Sequence, residues 1–184
     1  MGYVQLPLDT TGVVWRRLTS KCANSFASSR LSVRLAPLQL GIGTPGGCEA
    51  AVRAARRFLA NLSEDSILVK LDFKNAFNSL SRSAMLNAVL STIPELYPYC
   101  YSAYSKASLL KYDNFTLLSQ TGPQQGDPLG PLLFCLAIHP ILENLSSTLC
   151  IGFLDDLTIG GNVSVVAQDV DFISHEANKL GQQM

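Results

Sequence analysis

Apolar residues recur at helical spacing in some stretches of this 184-residue chain and in short unbroken runs in others. The two habits alternate, which predicts helices mixed with short strands. Gly12 to Arg34 predicts a helix, with Arg17 and Lys21 four apart on one face. Leu38 to Gly47 is too rich in glycine for regular structure and fits no phosphate-cradling spacing, so close backbone packing is expected there. From Glu49 to Leu62 the residues Val52, Ala55, Phe58, Leu59 and Leu62 share about a third of the helical turn, opposite Arg53, Arg56 and Arg57. Ser66 to Phe73 reads as a buried strand that delivers Asp72 at its C-terminal end. A helix from about Ser81 to Leu90 follows, with Ser81 as N-cap and Met85, Leu86, Val89 and Leu90 as its inner face.

Prolines and glycines interrupt Gln120 to Pro131 every few residues, so it is a shaped loop. Directly behind it, Leu132 to Leu145 is apolar enough for a buried helix, kinked by Pro140 or divided at it. Next, Ile151, Phe153, Leu157 and Ile159 fall on odd positions and predict one buried face of two short strands bent at Asp155-Asp156. From Ser164, the residues Val166, Val170, Ile173, Ala177 and Leu180 step by four and three, an amphipathic helix with Ser164 near its N-cap.

With 47% hydrophobic residues the chain is no disordered tail, and its length suits one domain with a smaller lobe. No apolar run reaches the roughly 18 residues of a membrane span, and no signal peptide is visible, so a soluble intracellular protein is expected. Five cysteines without a C-x-x-C pair argue for packed, reduced thiols. The net charge of zero conceals an uneven division: residues 1 to 60 hold eight basic groups against two acidic, and the remainder is acidic by the same margin. That division suits a protein that grips phosphates with one region and holds cations with the other, or a simple internal charge match.

Asp155 and Asp156 carry the sharpest chemistry. Neighbouring carboxylates repel, a cost that a divalent cation removes, although an Asp-Asp turn between strands is the alternative. The crowded tyrosines Tyr97, Tyr99, Tyr101, Tyr104 and Tyr112 read as core or helix-surface residues more readily than as base-stacking platforms.

A strand ending in Asp72, a Gln125-Gly126 loop held on a helix, and the aspartate hairpin occur in that order. Together they resemble the palm of reverse transcriptases carried by non-LTR (LINE-like) retrotransposons. Leu71-Asp72-Phe73-Lys74-Asn75-Ala76-Phe77 is similar to motif A, Gly122 to Pro131 to motif B, and Phe153-Leu154-Asp155-Asp156 to motif C. Trp15-Arg16-Arg17-Leu18 with Lys21 resembles the basic fingers element more loosely.

The resemblance implies an α+β palm, with a small antiparallel sheet, packed helices and a partial fingers lobe. Residues 1–62 would form the basic fingers-like part and 63–184 the palm of a single domain that ends before a thumb. It implies RNA-directed DNA synthesis, with Asp72, Asp155 and Asp156 binding two Mg²⁺ ions (Mn²⁺ as substitute). Because side chains alternate along a strand, Asp155 and Asp156 cannot both point at one spot unless the turn rotates them, so Asp156 is expected to be the lesser ligand. Phe77 would be the steric gate under the sugar. Gln125 and Gly126 would line the nucleotide pocket, and Arg16, Arg17 and Lys21 would reach the triphosphate. The implied partners are an RNA template, a DNA primer and a dNTP, with no membrane. The rivals are a relic that only binds nucleic acid and an RNA-dependent RNA polymerase. For the latter a carboxylate is expected in place of Phe77 and a glycine in place of Leu154.

Overall fold

The computed structural model describes residues 10–183, so the first nine residues and Met184 of the expected domain lie outside the description. Two long helices open the chain. Helix α1 (Thr10–Leu35) buries Ala27, Leu31 and Leu35 at spacings of four. Helix α2 (Gly47–Ala60) follows the glycine-rich segment, which packs closely as expected: a side chain at Gly47 would begin 2.0 Å from the Leu40 carbonyl oxygen.

Strand β1 (Ser66–Asp72) leads through the four-residue helix α3 (Ala76–Ser79) to α4 (Arg82–Thr92). The Ser81 hydroxyl caps α4 by accepting from the Ala84 amide, as the sequence predicts. Met85, Leu86 and Val89 are buried, whereas Leu90 is exposed and is not part of the inner face. After a single 3₁₀ turn come α5 (Tyr97–Tyr104) and a hairpin of β2 (Ser108–Tyr112) and β3 (Phe115–Ser119). Helix α6 (Gly130–Glu143) is buried on nearly every side. It runs through Pro140 without ending there. Strands β4 (Leu149–Phe153) and β5 (Asp156–Asn162) form the aspartate hairpin, and α7 (Val163–Lys179) closes the described chain. Its cap is Asn162, whose side-chain oxygen accepts from the Ser164 amide, two residues earlier than the expected cap.

The central sheet has the order β1-β5-β4 and is antiparallel throughout. Residues directly opposite in an antiparallel pair share a face. Phe153 pairs with Asp156 and Ile151 with Thr158, so odd positions on β4 face the same way as even positions on β5. This corrects the single buried face read from the odd positions. The two-residue turn shifts parity, placing Leu157 and Ile159 on one side and Ile151 and Phe153 on the other.

Both sides are covered. Leu157, Ile159, Val69, Leu71 and Cys150 join the main core with α4, α6 and α7. Ile151 and Phe153 instead face α2, around a groove bordered by Ala51 and Ala55, and Phe58 lies over Gly160. The helix therefore meets the sheet through Ala51, Ala55 and Phe58. Val52, Leu59 and Leu62, expected on its inner face, are exposed.

His139 lies in the core on α6, 3% exposed, and neither ring nitrogen has a hydrogen-bond partner. Burial lowers its pKa from 6.5; Glu143 opposes this from 3.4 Å, the charge of Arg34 adds to the lowering, and the Arg34 backbone opposes it. A depressed pKa means that the unfolded chain takes up the proton first, so stability is full above 6.5 and lost as pH falls through the folded value. Chemical denaturation at about pH 7.5 and about pH 5 is expected to show a loss that His139→Leu reduces. An equal loss in both proteins would remove His139 as the cause.

Candidate active site

The pairing of β1 with β5 sets Asp72 directly opposite Asp156, so motif A and motif C meet at one end of the sheet. Leu154 and Asp155 form the turn between Phe153 and Asp156, and Leu154 adopts a left-handed conformation with φ 58°. A positive φ at the first central position is the pattern of a primed hairpin turn, which usually takes glycine there. Asp155 and Asp156 accordingly border different pockets. Asp72 and Asp155 line one cleft of about 760 Å³, together with Arg17, Phe77, Gln125 and Gly126.

Asp156 borders the groove beneath α2 instead, where its carboxylate lies 3.0 Å from the Lys70 ammonium. The hydrogen bond from Lys70 and the charge of Asp156 raise the lysine pKa, with smaller contributions from Asp72 and Asp155. Among the described residues this is the one ion pair made by the three aspartates. Below the turn, the buried Cys135 thiol on α6 has its pKa pushed up by burial and by the charge of Asp155. It is inert packing.

Phe77 reaches the cleft because Asn75, left-handed at φ 54°, turns the chain from β1 into α3. Its ring stacks obliquely on Phe134 of α6 at 4.9 Å, and Phe73 meets the same ring edge-on at 6.3 Å. A stacked ring presents a fixed wall. The motif B loop is pressed against this segment. Gly122 donates its amide to Leu80, and a Cβ at Gly122 would lie 2.1 Å from the Phe77 carbonyl oxygen, so only glycine fits.

The loop is held from behind by buried polar groups. Arg82, at the start of α4, donates to the carbonyl oxygens of Gly122, Ser119 and Lys106 and to the Ser119 hydroxyl. Asp127 accepts from the Leu129 amide and from the Tyr104 hydroxyl. Arg16 approaches Asp127 at 3.6 Å and lies over the Tyr104 ring. Burial, and then the Asp127 charge, push the Tyr104 pKa up, so the phenol remains a donor.

Of the three basic residues expected at the triphosphate, Arg17 lines the cleft. Arg16 is committed to the motif B loop, and Lys21 is exposed and outside the cleft lining. Arg82, Lys70 and Gln39 escaped the reading of the sequence; Tyr104, read as a core or helix-surface residue, is buried, but its bond to Asp127 was not foreseen. For Asp127, its place in a Gly/Pro-framed loop before a buried helix was an available signal.

Among the described residues no three His, Cys, Asp or Glu side chains gather into a metal cage. Two carboxylates on one wall of an open cleft do suit Mg²⁺, which retains waters and takes its remaining ligands from substrate phosphates.

Residues 12–181 match the family described as reverse transcriptase (RNA-dependent DNA polymerase). The chain belongs to that family. It is 30% identical over 159 residues to the retrotransposable element SLACS 132 kDa protein of Trypanosoma brucei gambiense, covering 79% of this chain and 13% of that protein. The retrotransposon kinship expected from motifs A, B and C is thereby borne out. The apo telomerase of Candida tropicalis, truncated from its C-terminal domain, superposes with a TM-score of 0.64 at 15% identity, over 90% of this chain and 38% of that one. Telomerase of the same organism with a fragment of telomeric RNA gives 0.63 at 13% identity, over 94% and 33%. The reverse transcriptase palm is therefore the shared fold, and this chain spans a minor part of each relative's length. No helix among the described residues is long and apolar enough to cross a membrane.

Tyr104→Phe removes a donor from a buried carboxylate, which is expected to cost about 1–3 kcal/mol. Urea denaturation of the two proteins measures it, and an unchanged midpoint would show that Asp127 does not depend on the phenol.

Proposed function

We propose that this chain carries the nucleotidyl-transfer centre of an RNA-directed DNA polymerase, extending a DNA primer on an RNA template. The observation that carries this reading is the shared cleft: Asp72 and Asp155 on one wall, with Phe77 and the Gln125-Gly126 loop beside them. Within it, residues 1–62 are the basic fingers-like part and 63–184 the palm.

Asp72 and Asp155 would hold two Mg²⁺ ions, or Mn²⁺ in their place. When bound, such ions activate the primer hydroxyl and neutralise the departing pyrophosphate. Asp156, held by Lys70, acts beside them as the lesser ligand. Gln125 and Gly126 shape the floor under the incoming base and sugar. Arg17 offers the triphosphate a cation from the cleft wall, whereas Arg16 serves it indirectly by holding the motif B loop. Phe77, braced by Phe134, closes the space that a 2′-hydroxyl needs. This selects deoxynucleotides and disfavours the RNA polymerase alternative, which requires a carboxylate there.

Primer extension with dNTP and Mg²⁺ tests the reading. Asp72→Asn and Asp155→Asn each remove several kcal/mol of transition-state stabilisation, about a thousandfold in rate. Asp156→Asn is expected to cost less. Equal background from the native chain and Asp155→Asn would leave nucleic-acid binding as the only function. Phe77→Val is expected to raise the rNTP-to-dNTP ratio by about 10–200-fold, the range that a pocket of altered size can supply. An unchanged ratio would return Phe77 to core packing.

A further inference from the structure

The turn that presents Asp155 places a leucine, rather than a glycine, in a left-handed conformation, and something must hold it there. One side chain contacts both of its backbone polar groups. Gln39 is fully buried in the glycine-rich segment between α1 and α2. Its amide oxygen accepts from the Leu154 N–H at 2.8 Å, and its amide nitrogen donates to the Leu154 carbonyl oxygen at 3.1 Å. The same oxygen accepts from the Gly41 N–H at 3.1 Å, which fixes the amide's orientation.

The backbone around Gln39 is itself anchored. Leu40 donates to the Gly152 carbonyl at 2.8 Å and Gly152 donates to the Leu38 carbonyl at 2.6 Å, so the segment bridges onto β4 in parallel. Gly41 leaves room for the turn, since a Cβ there would lie 2.7 Å from the Leu154 Cδ2 and 2.8 Å from its amide nitrogen. Anchor, amide and gap all act on one residue, the one immediately before Asp155.

We propose that Gln39 is a positioning residue for Asp155: its carboxamide holds Leu154 left-handed and so aims Asp155 into the cleft beside Asp72. The consequence for catalysis rests on the polymerase reading of that cleft, whereas the hold on the turn does not. Gln39 touches no reacting atom. It acts through the backbone of Leu154, and loss of its hydrogen bonds lets the turn relax toward conformations that an L-residue prefers.

Gln39→Met keeps the volume and removes the hydrogen bonds. It is expected to lower kcat for primer extension about a hundredfold, the cost of a small displacement at a reacting centre, with KM for dNTP nearly unchanged. Leu154→Gly in the Gln39→Met background is expected to recover most of that rate, because glycine adopts the left-handed conformation without being held. Amide hydrogen exchange, read by NMR, is expected to show Leu154 protected in the native chain and exchanging faster in Gln39→Met. Full activity of Gln39→Met, or no recovery on adding Leu154→Gly, would overturn the positioning role.

Should Gln39→Met fail to fold, Gln39→Glu replaces it. That variant keeps an acceptor for Leu154 and Gly41 but loses the donor, and a smaller loss, again recovered by Leu154→Gly, is expected. No rescue in that background would overturn the proposal equally. A native chain that does not polymerise, yet loses Leu154 protection on Gln39→Met, would remove the polymerase reading and support the clamp. Unchanged Leu154 exchange would remove the clamp whatever the activity.

Discussion

The antiparallel register of β1 on β5, with Asp72 opposite Asp156, is the constraint from which the rest of the site follows. Side chains alternate along a strand, so a slip of one residue would turn Asp72 into the core and Leu71 out of it. Leu71, Val69, Leu157 and Ile159 pack on one face against α4, α6 and α7, which makes that slip costly. Apolar burial thereby fixes the position of a carboxylate that contributes nothing to the core. The hairpin turn then separates the two remaining aspartates, one into the cleft and one toward Lys70.

The second support is polar. Arg82, Tyr104, Asp127 and Arg16 form a buried network behind the motif B loop, a region that cannot hold itself by regular backbone pairing because glycine and proline interrupt it. Buried charges are costly unless every partner is satisfied. Arg82 meets that condition by spending its guanidinium on three carbonyl groups and a hydroxyl. The loop that forms the nucleotide side of the cleft is therefore held by side-chain hydrogen bonds where backbone pairing is interrupted.

Much of this was legible in the sequence, and the exceptions have physical causes. Helices with a regular apolar period, such as α2 and α7, and the cap at Ser81 could be read because their signals are local. The face of the hairpin strands could not, because parity across a turn depends on loop length, and Phe-Leu-Asp-Asp lacks the glycine that usually marks a two-residue turn. The β2–β3 hairpin carries a weaker turn signal in Asp113-Asn114, between Tyr112 and Phe115 and with Asp113 at φ 50°, and it also lacks glycine. Gln39 had no readable signal at all. Its role arises from a contact 115 residues away in sequence. The spacing of Arg17 and Lys21 on one helical face was sound, yet only tertiary packing decides how far along α1 the cleft extends.

The central claim is that Asp72 and Asp155 together form a divalent-metal site facing a nucleotide pocket. Crystals of the chain grown with Mn²⁺, a primer–template and a non-hydrolysable dNTP analogue would test it by anomalous diffraction. An anomalous peak between the Asp72 and Asp155 carboxylates, with the analogue's sugar against Phe77, is the predicted result. Bound analogue with no peak between those two carboxylates, or Mn²⁺ held by Asp156 apart from Asp72, would contradict it.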